Sequence, residues 1–155
     1  MSAPVFRPAE GRDLNAVYAL ICDMEAKELP YAAFAEIFSA QLANPDYLCL
    51  VCELDGETAG ECNLRFEYQL HHAARIAEIM ELAVAPGYRG LGLGAELLRE
   101  AQVAALAQGC VQIELACNML RRDAHRFYER EGFKSCHYKF SKPLTGTDEG
   151  NALGR

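Results

Sequence analysis

No stretch of this sequence approaches the ~18 consecutive apolar residues that a membrane span requires. Positive charge is also short: the formal net charge is −7 and the pI is near 5.1. Without a basic face the chain cannot neutralise a phosphate backbone, which excludes nucleic acid as the main partner. Arg7, Glu10 and Arg12 come before any long apolar run, so no secretory signal is expected. No internal repeat is present. The seven cysteines are an odd number, and most, such as Cys22, Cys49, Cys52 and Cys117, lie in apolar runs where cysteine acts as a small buried hydrophobe suited to a reducing cytoplasm. Cys49 and Cys52 have zinc-knuckle spacing, but no second C-x-x-C follows, and strand residues three apart face opposite sides.

What is present suffices for one core. The chain has 155 residues, 51% of them hydrophobic, which fits a single domain over residues 1–143. Residues 144–155 have little to bury and are expected to be disordered. Residues 5–7 read as a first strand, and Asp13 as the N-cap of a helix with Leu14, Val17, Tyr18, Ile21 and Met24 on one face. A second helix follows Pro30 and stops at Asn44-Pro45-Asp46. Residues 47–54 and 58–68 are β-like runs joined across Asp55-Gly56, a strong hairpin signal. A third run, 75–85, leads into a glycine loop and a helix over 93–108 that ends at Gly109. A strand over 111–117, a short helix capped by Asp123 and closed by Gly132, and a last strand over 133–140 complete the pattern.

The chain is organised around Val84-Ala-Pro-Gly-Tyr-Arg89-Gly90-Leu91-Gly92-Leu93-Gly94. A helix start has N–H groups without intrahelical partners, and glycine lets an anion approach them closely. Arg89 adds a positive fork. The spacing is neither G-x-G-x-x-G nor that of a P-loop. Arg89-x-x-Gly92-x-Gly94, preceded by Leu82-Ala-Val84-x-Pro86, resembles the pyrophosphate loop of the GNAT superfamily of acyl-CoA dependent N-acyltransferases, and the element order over about residues 4–143 resembles its fold. The resemblance implies a mixed α/β fold: a mostly antiparallel central sheet with splayed central strands and helices on both faces. It also implies acetyl-CoA as cosubstrate, held by Leu82, Ala83, Val84 and Arg89 to Gly94, and it leaves room for a homodimer.

Acetyl transfer needs a neutral amine, donors for the developing oxyanion and a proton for the departing thiolate. The segment from Asp123 to Phe133 resembles the family's A-x-x-x-Y-x-x-x-G-F, which makes Tyr128 the general acid beside the coenzyme sulfur. Glu78 and Glu81 are two carboxylates on an otherwise apolar strand, where unpaired charge is costly. Alternation puts Glu78 on the face of Met80 and Leu82 and Glu81 on the other, unless a bulge intervenes. A glutamate four residues before Leu-x-Val matches the family's base position, so Glu78 is ranked as base and Glu81 as second carboxylate; a salt bridge of Glu78 with Arg75 or Arg65 is the competing reading. Arg121 stands where the family commonly has asparagine, with Asn118 nearby as the candidate coenzyme contact.

The stretches Ala16 to Cys22, Phe66 to Leu82 and Arg122 to Tyr128 look like aminoalkylphosphonate N-acetyltransferases. That resemblance implies acetylation of small aminoalkylphosphonates assisted by a divalent metal ion of unknown ligands. His71, His72 and Arg75 are the candidate cations for the phosphonate. The rivals are acetylation of another amine, such as a polyamine, an aminoglycoside or a protein N-terminus, and a non-catalytic acyl-CoA sensor.

Overall fold

A computed structural model describes residues 2–145. It comprises two compact units, Met1–Leu115 and Ala116–Arg155. The tail from residue 146 on, expected to be disordered, lies outside the described residues. Among the described residues no helix is long and apolar enough to cross a membrane.

The first unit is a five-stranded sheet, with strands β1 (Val5–Pro8), β2 (Tyr47–Leu54), β3 (Glu57–Gln69), β4 (Ala74–Val84) and β5 (Gln112–Leu115) in spatial order. All neighbours are antiparallel except β4 and β5. The β2–β3 turn places Asp55 at φ 54° and Gly56 at φ 80°, the left-handed pair that Asp-Gly favours in a two-residue hairpin. Helices α1 (Leu14–Glu25), α2 (Tyr31–Leu42) and α3 (Leu93–Ala107) cover the sheet.

The covering is two-sided, and residues 59–64 of β3 are buried without interruption. A Cβ on Gly60 would lie 3.1 Å from Leu97 Cδ1 and 3.1 Å from the Ala83 carbonyl oxygen. Glycine there lets α3 sit close on the face that Gly60 shares with Cys62 and Leu64. The apolar face of α3, with Leu97, Leu98 and Ala101 fully buried, fills that side. On the opposite face Val17 and Ile21 of α1 and Phe38 of α2 pack with Cys49 and Val51 of β2.

Asp13 directly precedes α1 as expected, but its carboxylate makes no bond that caps that helix. It accepts from Arg7 Nη1 at 2.8 Å, Arg7 Nη2 at 2.9 Å and the Glu10 N–H at 2.7 Å. The Arg7 guanidinium holds this buried carboxyl below the ordinary aspartate range, and Arg7 also pairs with Glu53 of β2. Strand β1, the α1 entry and β2 are thereby tied at one point.

The parallel β4–β5 ladder closes at Ile79–Leu115, although β4 runs on to Val84. Among the described residues no strand pairs with that side of β4 beyond Ile79, so its peptide groups there are free of ladder bonds. This is the interrupted pairing that the splayed-strand expectation requires.

The second unit contains α4 (Arg122–Arg130). Arg121, not Asp123, occupies the N-cap; Asp123 lies in the first turn and pairs with Arg126. Gly132 closes the helix at φ 96°, and the Phe133 N–H donates to the Tyr128 carbonyl at 3.0 Å. Residues 133–140, expected to be a strand, have no regular structure. A strand needs a ladder partner, and the described part of this unit contains a helix and irregular chain only. Tyr138 and Phe140 accordingly stand exposed.

Candidate active site

At the end of β4 a short 3-10 turn, Pro86–Tyr88, leads to the glycine loop, and α3 starts at Leu93 with Gly92 as its N-cap at φ 81°. No side chain caps this helix, so its first N–H groups remain available to an anion. Gly90, at φ 80°, and Gly92 both have open space where a side chain would stand. A non-glycine residue would be strained at these angles and would fill the approach. Leu93 is buried and therefore offers its backbone rather than its side chain. The Arg89 guanidinium donates through Nε to the Val84 carbonyl at 3.1 Å and through Nη2 to Asp23 Oδ2 at 3.0 Å. The loop thus fits a pyrophosphate, with Leu82, Ala83 and Val84 on the strand that feeds it.

A β-bulge decides where the two strand carboxylates face. Asn63 lies opposite Glu81 and Leu64 opposite Ile79, which leaves Met80 as the extra residue of β4. Residues opposite each other in an antiparallel pair share a face. Glu81, opposite Asn63, and Glu78, opposite Arg65, therefore point to the same side, that of α1 and α2. Leu82, opposite Cys62, points to the α3 side. The expectation that Glu78 and Leu82 share a face with Glu81 on the other is corrected by that one inserted residue, which shifts alternation by one step.

The two carboxylates differ in surroundings. Glu78 Oε1 accepts from Arg65 Nη2 at 2.7 Å in a partly exposed ion pair. Glu81 lines a cavity of about 450 Å³ bounded by α1, α2, β2, β3 and β4. Its Oε1 accepts from Asn63 Nδ2 at 2.9 Å, and the same amide donates to Gln41 Oε1 of α2 at 3.0 Å. Burial pushes the Glu81 carboxyl above the ordinary glutamate range; the Asn63 hydrogen bond partly opposes this, and the charge of Glu25 adds to it. Most of the lining is apolar, including Ile21, Met24, Phe34, Phe38 and the bulge residue Met80, and its ionisable carboxylates are Glu25 and Glu81. No lysine, arginine or histidine is among the described lining residues.

Three further expected residues of the first unit lie away from this cavity. His71 and His72 occupy the β3–β4 turn with their rings 4.4 Å apart, and His72 Nδ1 lies 2.7 Å from Gln69 Oε1. His72 lies in the turn before β4, and from Ala74, where the strand begins, to Glu81 there are seven strand steps, roughly 23 Å at the usual rise. Arg75 pairs with Asp46 at 3.0 Å and lies over the Phe66 and Tyr68 rings. These three are not gathered at the cavity. In the second unit the Asn118 side chain accepts the Leu120 N–H at 2.9 Å, bracing a turn, and the Tyr128 ring packs edge-on between Phe127 and Phe133. Among the described residues no three His, Cys, Asp or Glu side chains converge to hold a metal ion. The expected divalent ion has no fitting ligand set there, and no step is assigned to one.

Sequence reading missed Asn63, Gln41 and Glu25, and also Glu61, which is fully buried on the face of Glu81. The alternation Glu61, Asn63, Arg65, Glu67 reads as the solvated side of a half-buried strand, and only the helices above it reverse that reading.

A model of the acetyltransferase (GNAT) family matches residues 14–133. The aminoalkylphosphonate N-acetyltransferase of Salmonella typhimurium is 44% identical over 138 residues, which are 89% of this chain and 90% of that protein. Among solved structures, a transcriptional regulator from Bacillus halodurans superposes with a TM-score of 0.84 at 24% identity, covering 92% of this chain and all of that one. An aminoglycoside N-acetyltransferase in complex with CoA also superposes with a TM-score of 0.84, at 14% identity, over 94% of this chain and 97% of that one.

Proposed function

The chain belongs to the acetyltransferase (GNAT) family, and from that premise we propose that it moves the acetyl group of acetyl-CoA directly to the primary amine of a small aminoalkylphosphonate within a ternary complex. The observation that carries the site assignment is Glu81: a partly buried carboxylate on a cavity wall, held by an amide, on the strand that feeds the coenzyme loop. The choice of acceptor rests on the Salmonella typhimurium relative, with which nearly the whole chain aligns.

In this reading the base is Glu81 rather than Glu78, whose carboxylate is engaged by Arg65. A base with raised proton affinity suits an acceptor that arrives as an ammonium ion. Glu81 takes the ammonium proton, and the neutral nitrogen attacks the thioester carbon. A C–N bond forms, the C–S bond breaks, and Tyr128 protonates the leaving thiolate. Tyr128 is restored by the proton that the tetrahedral nitrogen sheds, and Glu81 releases the ammonium proton to solvent before the next turnover. Asn63 fixes the carboxylate of Glu81, and the apolar lining excludes water from it. Arg89 and the N–H groups at the start of α3 hold the pyrophosphate, while the unladdered edge of β4 beyond Ile79 supplies donors for the pantetheine arm and the oxyanion.

A second reading is favoured by the cavity itself. Its described lining carries Glu25 and Glu81 and no cationic side chain, which suits an ammonium with an apolar body better than a phosphonate dianion. Initial rates with aminomethyl- and aminoethylphosphonate, phosphonate-free alkylamines, a polyamine and an aminoglycoside separate the two. A higher kcat/KM for the phosphonates is expected; a clear preference for phosphonate-free amines replaces that acceptor, and no acetylation of any of them overturns the small-amine reading. The same panel after dialysis against EDTA decides on the metal: a loss reversed by added manganese brings one into the reaction, and full activity leaves it out.

A further inference from the structure

Glu61 is the least accommodated polar group in the described structure. Its side chain is fully buried in the middle of β3, and neither carboxyl oxygen has a hydrogen-bond partner. It lies opposite Val51 on β2 and Ala83 on β4, which makes it a diagonal neighbour of Glu81, at a spacing of about 7–8 Å. The α1 and α2 residues clustered on this face, Val17, Ile21 and Phe38, are apolar. The titratable groups facing it are Glu81 on β4 and the Cys49 thiol on β2. An ionised carboxylate without a partner is too costly in such a place, whereas the neutral acid leaves only uncharged polar atoms unpaired.

We propose that Glu61 is a positioning residue for Glu81: a neutral, proton-bearing carboxylic acid whose dipole supports the ionised carboxylate of its neighbour Glu81. The inference rests on Glu81 being the base. Two adjacent carboxyls in unequal surroundings ionise at separate pH values. Glu81 reaches the cavity and has an amide donor; Glu61 has neither, so it keeps its proton while Glu81 exchanges one with the acceptor. Burial, reinforced by the charge of Glu81, pushes Glu61 well above the ordinary glutamate range.

The consequence for stability has a definite sign. Above the ordinary carboxylate range Glu61 is ionised in the unfolded chain and protonated in the folded one, so the folded state binds the extra proton. Stability is therefore lost as pH rises, until the folded-state ionisation is passed. In that window the unfolding constant of the parent should rise about tenfold more per pH unit than that of Glu61→Gln, which has no proton to hold.

The test uses three variants of the full chain. Infrared spectra at neutral pH should contain a protonated-carboxyl band in the parent that is absent in Glu61→Gln. The acid limb of kcat/KM should keep its position in Glu61→Gln, where an amide replaces the acid, and move to higher pH in Glu61→Met, where no dipole remains. Absence of the band, or an acid limb unmoved in a folded Glu61→Met, overturns the proposal. If Glu61→Met does not fold, the infrared band and the pH dependence of unfolding in Glu61→Gln still decide it. Glu81→Gln separates the two ideas: if it retains the parent's rate and acid limb, the base assignment fails, while the infrared and unfolding measurements still report on Glu61.

Discussion

Replacing Asn63 by leucine isolates what holds the proposed base, Glu81, in its working state. Asn63 is 9% exposed, and its amide bridges Gln41 and Glu81 at 3.0 and 2.9 Å. Leucine keeps the volume and removes the donor. A hydrogen bond to a charged group contributes about 1.5–3 kcal/mol, and in Glu81 that contribution opposes the upward push of burial. Its loss should raise the proton affinity of Glu81 by roughly ten- to a hundredfold. The acid limb of kcat/KM should then move to higher pH, while the rate on the alkaline plateau changes far less. Because the folded-state proton affinity of Glu81 already exceeds the unfolded one, stability contributed through this group is lost as pH rises, and the variant should widen that loss. The assay is kcat/KM across the acid-to-neutral range, paired with thermal melts at each pH. An acid limb that stays in place in a folded Asn63→Leu variant would refute the argument, since the hydrogen bond would not be governing Glu81.

Other perturbations read other parts of the site. Gly92→Asp, which puts a carboxylate at the uncapped start of α3, should weaken acetyl-CoA binding roughly tenfold or more by calorimetry; unchanged affinity in a folded variant would remove the loop assignment. Tyr128→Phe should lower kcat by roughly 10²–10⁴ with coenzyme affinity nearly intact, and a parent-like kcat would move the acid role elsewhere. His71→Ala and His72→Ala, at the far turn of β4, should leave the acceptor KM within about twofold of the parent; a large rise would mean that the turn reaches the acceptor in a way the cavity does not account for.

Much of the scaffold could be read from local rules. The Asp55-Gly56 turn, the helix periodicities and the glycine loop each impose their geometry on a few neighbouring residues. The site was harder to read, because its decisive features are non-local. The extra residue at Met80 brings Glu78 and Glu81 to one face, and nothing in Ile79-Met80-Glu81 announces a bulge. Glu61 and Asn63 look like the wet side of a strand until α1 and α2 lie over them. The segment 133–140 alternates like a strand, yet alternation describes how a strand would face a core and cannot supply the ladder partner it needs. Glu78 matched a family position by spacing, but its pairing with Arg65 of the neighbouring strand β3 depends on register.

The central claim is that Glu81, on the cavity wall, receives the proton of the incoming amine. It is tested most directly by comparing the pH dependence of kcat/KM for acetyl transfer in the parent, Glu81→Gln and Glu78→Gln. Glu81→Gln should fall by roughly 10²–10⁴ and lose the acid limb, while Glu78→Gln keeps the limb and most of the rate. A collapse in Glu78→Gln alongside parent-like turnover and an intact limb in Glu81→Gln would contradict the account.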